Sequence, residues 1–201
     1  GPLNLCPTVF GEVPVGQAVL RSGARPGDDL WISGTPGRAA LGLAHLRGDV
    51  VLADAHRAVC LAALHRPQPR VALGLALRGR ATAMLDVSDG LFGDLGHILD
   101  ASGVGAVVQQ AALPLAALTA ACGDAERAWR ACTAGGDDYE LLFTAPAAQR
   151  EAIAALAAPA GVPLQRIGTI TPEAGTLQVE GRDGRRQPAA LRGYDHFAAV
   201  S

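Results

Sequence analysis

Thr82-Ala83-Met84-Leu85-Asp86-Val87-Ser88-Asp89-Gly90-Leu91 joins a buried apolar run to a helical pattern. Thr82 to Val87 reads as an interior strand, and from Asp89 to about Ala101 the apolar residues fall at helical spacing, with Leu91, Leu95, Ile98 and Leu99 on one face. Gly103 follows as a C-terminal glycine should. Two carboxylates and a hydroxyl thus sit at a strand-to-helix junction, where open α/β sheets place ligands. With Asp86 ending the strand, Ser88 and Asp89 lie at the helix N-terminus, where backbone N–H groups and the macrodipole favour phosphate. Magnesium takes oxygen ligands and keeps several waters, so two aspartates and a ligand phosphate make a plausible site. Capping of the helix by Ser88 or Asp89 is the open alternative, since Ser and Asp are leading N-caps.

Outward from that junction, helices and strands alternate irregularly. Leu3 to Pro14 reads as a strand, with Val9 and Phe10 at its heart, and the Gly/Pro-rich residues 15–28 read as a linker or domain boundary. Leu30 to Ser33 is a short strand. A turn at Gly34-Thr35-Pro36-Gly37 leads into a helix to about Arg47, with an apolar face of Ala40, Leu43, Ala44 and Leu46. Further helices are expected over Val51 to Leu64, Val71 to Arg78, and as two short pieces between Pro114 and Arg130, with another from Pro146 to Leu156. Strands are expected over 104–108, 139–144, 164–170 and 176–180, the last followed by a hairpin turn at Gly181-Arg182-Asp183-Gly184. The pattern predicts an α+β fold, a mixed sheet flanked by helices.

The 201 residues suffice for a real core without metal or disulfide staples. All 17 basic residues are arginine, and the net charge of −2 gives no broad positive field, which argues against nucleic acid or an anionic membrane as partner. No apolar run approaches the roughly 20 residues needed to span a bilayer. The four cysteines lack zinc-ligand spacing and are expected to be buried free thiols in a reducing cytoplasm.

Three further clusters stand out. Gly135-Gly136-Asp137-Asp138-Tyr139-Glu140 pairs glycines, which let a backbone approach a ligand, with three acids ahead of a strand; a solvated turn would look the same. Gly193-Tyr194-Asp195-His196-Phe197 concentrates aromatic residues in the tail, and simple packing is its plain reading. Arg21-Ser22-Gly23-Ala24, followed by Pro26-Gly27-Asp28, offers one arginine among glycines, suited to a phosphate or to an ion pair.

In this order, RSGA with PGD, then DVSDGL, then GGDDYEL, then GYDHF, the chain resembles the thiamine-monophosphate kinases, a family of the aminoimidazole ribonucleotide synthetase superfamily. DVSDGL is shared across that superfamily, whereas GG-acid-DYEL with a terminal GYDHF is more specific. The resemblance implies ATP- and magnesium-dependent phosphorylation of thiamine monophosphate to thiamine diphosphate, by direct in-line transfer in which the protein positions phosphates and neutralises charge. It implies Asp86 and Asp89 as magnesium ligands, Arg21 and Ser88 as ATP contacts, and Asp137 and Tyr194 as substrate contacts. Asp137 stands where the family usually has Glu. The resemblance further implies a cytoplasmic enzyme that dimerises through an N-terminal domain, of which residues 1–14 would be the last strand, 15–28 the linker and 29–201 the C-terminal domain. Alone, with half of the magnesium ligands elsewhere, the chain is expected to lack appreciable kinase activity. The alternatives are a binding or structural module without catalysis, or a relative of the selenophosphate synthetase or hydrogenase-maturation type.

Overall fold

The computed structural model describes residues 2–191. Seven strands form one sheet: β1 (Asp29–Ser33), β2 (Ala83–Val87), β3 (Gly105–Gln109), β4 (Glu140–Ala145), β5 (Leu164–Thr171), β6 (Leu177–Glu180) and β7 (Arg186–Pro188), in the order β2-β4-β1-β5-β3-β6-β7. All neighbours are antiparallel except β3 and β6, so the expected mixed sheet is what forms. Eight helices accompany it among the described residues: α1 (Arg38–Arg47), α2 (Asp54–His65), α3 (Val71–Leu77), α4 (Leu91–Ser102), α5 (Leu115–Cys122), α6 (Ala125–Ala134), α7 (Arg150–Ala154) and α8 (Ala157–Ala160).

Alternation along the strands divides the core in two. Leu30 and Ile32 of β1, Leu85 and Val87 of β2, and Leu142 of β4 face a large cluster completed by Leu91, Leu95, Ile98 and Leu99 of α4. Trp31 and Phe143 point the other way and stack, ring centroids 6.2 Å apart, against Leu73 and Leu77 of α3 and Ile153 of α7. The four apolar residues assigned to the α4 face are all fully buried, and Gly103 ends that helix in the left-handed region at φ 65°.

Several sequence expectations need correction. Residues 3–14 form no strand; Leu3, Leu5, Val9 and Phe10 are 80–91% exposed, and no ladder partner runs beside them. Apolar β-type residues make a strand only when neighbouring backbone accepts their hydrogen bonds. The second half of the supposed linker is tied down: Leu20 O accepts from Met84 N, the Ser102 hydroxyl accepts from Gly23 N and Ala24 N, and buried Asp28 accepts from Thr82. The single helix expected from Pro146 is a 3-10 turn followed by α7 and α8. On α1 the buried residues are Ala39, Leu41 and Gly42, while Leu46 is 55% exposed. The helix seats its small residue against α2, since a Cβ at Gly42 would lie 2.6 Å from Cys60 O. Of the cysteines, Cys60 and Cys132 are buried thiols, but Cys6 is exposed and Cys122 partly so.

Candidate functional site

The C-terminal end of β2 and the N-terminal end of β4 lie side by side, pairing Val87 with Glu140 and Asp86 with Leu141. Beyond the strands the two motifs stay bonded, Tyr139 N donating to Val87 O at 2.9 Å and Asp137 N to Ser88 O at 2.9 Å. The DVSDGL and GGDDYEL stretches, about fifty residues apart in sequence, are therefore one structural unit.

The glycines serve that union. A Cβ at Gly136 would lie 2.3 Å from Ser88 O, and one at Gly90 2.8 Å from Ala134 C, so both positions must be bare for the loops to meet. The backbone that Gly135-Gly136 admits is thus the chain's own. Asp137 and Tyr139 adopt positive φ of 67° and 51°, a conformation that non-glycine residues rarely take. The alternating twist sends Asp137 and Tyr139 outward and Asp138 and Glu140 inward.

Both inward acids are fully engaged. Asp138 accepts from Gly37 N at 2.5 Å and Ala39 N at 3.1 Å, closing the N-terminus of α1. Burial pushes its pKa up to about 7, the two N–H donors only partly offsetting that. Glu140 receives a bidentate pair from Arg70 at 2.7 and 2.5 Å and the Ser33 hydroxyl at 2.5 Å.

At the other motif, the expectation that the helix N-terminus offers free N–H groups to a phosphate is overturned. The buried carboxylate of Asp94 accepts from Ser88 N, Asp89 N and Gly90 N at 2.9, 3.0 and 3.2 Å, filling the N-terminal end of α4. Desolvation raises the Asp94 pKa, opposed by those three hydrogen bonds. Nor do Ser88 and Asp89 cap the helix: the N-cap residue is Gly90, and the side chains of Ser88 and Asp89 have no hydrogen-bond partner among the described residues. They remain available to something else.

These loops and α1 enclose a cleft of about 460 Å³ lined by Ser88, Asp89, Asp137 and Tyr139, by the glycine pair, by Arg47 at the end of α1 and by Asp49 after it. Its apolar wall is Ala40, Leu43 and Ala44, the very residues expected to face the core. Asp86 opens instead into an adjoining groove with Pro67, Pro69, Val71 and Leu141, and Tyr139 forms the partition common to both. Tyr139 has its hydroxyl 3.5 Å from Asp137. Burial and then the negative charges of Asp137, Asp86 and Asp89 raise its pKa. Arg21 lies elsewhere in the chain path, beside Thr82 to Met84 at the far end of β2, and does not line the cleft. Tyr194 lies outside the described residues.

No group of three or more His, Cys, Asp or Glu side chains converges on a metal position among the described residues. Asp86 and Asp89 are hard oxygen donors with no hydrogen-bond or ion-pair partner among the described residues, which suits magnesium as part of a ligand set, the balance coming from water and phosphate oxygens. Sequence reasoning missed Asp94, Asp138, Arg47, Asp49 and the α1 wall. Asp94 left a signal as an acid in the first turn of an expected helix, and Asp138 stood in the acidic cluster without a role assigned to it.

Residues 25–180 match the family model described as AIR synthase related protein, C-terminal domain. The chain belongs to that family. It is 43% identical over 203 residues to thiamine-monophosphate kinase of Escherichia coli K12, covering 98% of this chain and 61% of the relative, and 42% identical to that of Salmonella typhimurium over a similar share. The chain therefore spans about three fifths of the curated relatives it matches. Among solved structures it is similar to thiamine-monophosphate kinase from Stenotrophomonas maltophilia K279a (TM-score 0.77, 44% identity, 86% of this chain and 55% of that one). A structure of AaThiL complexed with AMPPCP and TMP matches at TM-score 0.71 and 29% identity, over 89% of this chain and 54% of that one. E. coli HypE, a hydrogenase maturation protein, shares the fold at TM-score 0.73 with 20% identity, over 94% of this chain and 57% of that one. No helix of the described residues is long and apolar enough to cross a membrane.

Proposed function

We propose that this chain is the C-terminal part of a thiamine-monophosphate kinase and forms one wall of its active site, where the terminal phosphoryl group of ATP passes to the phosphate of thiamine monophosphate. The observation that carries this reading is the union of the two motifs at the joined ends of β2 and β4, which sets Asp89 and Asp137 in one cleft and Asp86 in the groove across Tyr139. Homologues named for the activity, and a relative complexed with AMPPCP and TMP, support it.

In-line phosphoryl transfer needs little covalent work from the protein; it needs the two phosphates aligned and their charge neutralised. Asp86 and Asp89 would hold magnesium, which when bound neutralises phosphate oxygens. Because Asp94 and Asp138 already fill the N-termini of α4 and α1, those two helix dipoles offer nucleotide phosphates no open N–H cradle beside the cleft. Cations must do that neutralising, and Arg47 supplies a positive group within the cleft. The Ser88 hydroxyl faces the same space and is free to donate to a phosphate oxygen. Asp137 is free to meet a cationic substrate ring and the α1 wall to receive its apolar face, a pairing that suits thiamine monophosphate. Arg21 would approach ATP from the far end of β2, and Tyr194 would contact substrate from the tail. The enzyme would be a cytoplasmic homodimer through the segment that the longer relatives carry.

The test is formation of thiamine diphosphate from thiamine monophosphate, ATP and magnesium by the protein comprising this chain and that further segment. Asp89→Asn should lower kcat by about a hundredfold while leaving the unfolding temperature unchanged, because the side chain is a charge for ligands and not a cap. Normal turnover in both Asp86→Asn and Asp89→Asn would defeat the proposal.

A further inference from the structure

Asp138 and Glu140 face away from the cleft, and behind them lies a separate hollow of about 290 Å³ between α1, α2 and the loop before α3. Thr35, Arg38, Arg66, Gln68 and Arg70 line it. The two acids at its base are already answered. Glu140 is held by Arg70 and Ser33, and Asp138 by the backbone of Gly37 and Ala39. The donors have no such answer. Arg38 and Arg66 form no side-chain hydrogen bond or ion pair among the described residues, and Arg70 spends Nε and Nη2 on Glu140 while Nη1 donates to nothing. Thr35 lines the hollow with a hydroxyl that has no hydrogen-bond partner among the described residues.

We propose that this hollow is an accessory site for a small phosphate-bearing anion, distinct from the cleft. Three guanidinium groups and the Thr35 hydroxyl are the donor set that a phosphoryl group satisfies, since its oxygens accept from several directions while guanidinium offers paired N–H groups in a plane. Arg70 is preorganised by its bidentate hold on Glu140, and Arg38 is carried on the first turn of α1, whose start Asp138 fixes. The Arg70 guanidinium is therefore positioned before any ligand arrives, which lowers the entropy lost on binding. The volume admits a phosphoryl group with a small organic fragment. The hollow shares no lining residue with the cleft and lies on the other side of the 137–140 segment, while Arg70 alone also borders the groove that holds Asp86.

Calorimetric titration of the 201-residue chain with pyrophosphate, without divalent metal, tests it, with inorganic phosphate as the second arm. One saturable site is expected, weakened about tenfold by Arg38→Ala or by Arg66→Ala, as loss of one charge-assisted contact predicts, and removed by the double variant. Asp89→Asn and Asp137→Asn in the cleft should leave the affinity unchanged. Arg38→Gln and Arg66→Gln, which keep much of the stem, guard against a packing defect and should weaken binding equally. Absence of saturable heat, unchanged affinity in the double arginine variant, or a shift in the cleft variants as large as in the arginine variants would overturn the assignment. Binding of phosphate and pyrophosphate with equal affinity would place one phosphoryl group as the whole determinant.

Discussion

Two helices begin at the cleft, and the chain closes each with a buried aspartate, but by opposite routes. For α4 the carboxylate is Asp94, on the helix's own first turn, accepting from the N–H groups of Ser88, Asp89 and Gly90. For α1 it is Asp138, one hundred residues away, accepting from Gly37 and Ala39. The local device shapes a single loop and would form with that segment. The distant device forms only once β4 lies beside β2 and β1, so it welds the GGDDYEL motif to the helix that walls the cleft. One cap orders the candidate ligands Ser88 and Asp89; the other fixes the space they face.

Removing each carboxylate would sharpen that contrast. Asp94→Ala should have the largest effect, about 3 kcal/mol in urea unfolding, because three buried N–H groups lose their acceptor together. It should also abolish ligand-induced thermal shifts with ATP and magnesium even where the variant is folded, since the 88–90 loop loses its shape. Loss of stability of less than about 1 kcal/mol would mean that water or another group satisfies the loop. Asp138→Ala, with two N–H groups orphaned, should lose about 2 kcal/mol when measured at pH 5.

That second deficit should narrow with pH. The folded pKa of Asp138 is raised above its unfolded value, to about 7, so the protonated form is favoured by folding. Its contribution is complete below the unfolded pKa and is lost as pH rises through about 7. The unfolding temperature of the parent should therefore fall between pH 5 and pH 8, and Asp138→Asn should flatten the fall. Asp94, also raised, adds a slope of the same sign that the Asn variant at 138 leaves in place. An unchanged slope in Asp138→Asn would remove that residue from the account.

The smallest effect belongs to an ordinary surface cap. Asp124 at the start of α6 accepts from Glu126 N and Arg127 N while exposed, so water can replace it. Asp124→Ala should lower the unfolding temperature less than either buried cap; an equal loss would show that burial is not what separates them.

What was legible followed from local rules. Leu91, Leu95, Ile98 and Leu99 gave the face of α4, and Gly103 its end, because helix periodicity and a left-handed C-cap depend on near neighbours. Asp86, Asp89 and Asp137 could be singled out because acids at a strand end are conspicuous; Asp89 and Asp137 line one cleft, and Asp86 the groove beside it. The α1 face was misjudged because Ala40, Leu43 and Ala44 are as apolar as a core stripe, and only a neighbouring helix shows which stripe is covered. Residues 3–14 form no strand within this chain for the kindred reason that β propensity needs a partner edge.

Amino-acid order alone fixed the alternation of elements, the mixed sheet and which short motifs carry acids. Tertiary structure alone settled which acids are free. Asp137 and Asp138 are chemically identical neighbours, yet one faces a cleft and the other the backbone of a helix a hundred residues distant. A side chain's ionisation and availability depend on what surrounds it in space, and for these carboxylates that surrounding comes from segments remote in sequence.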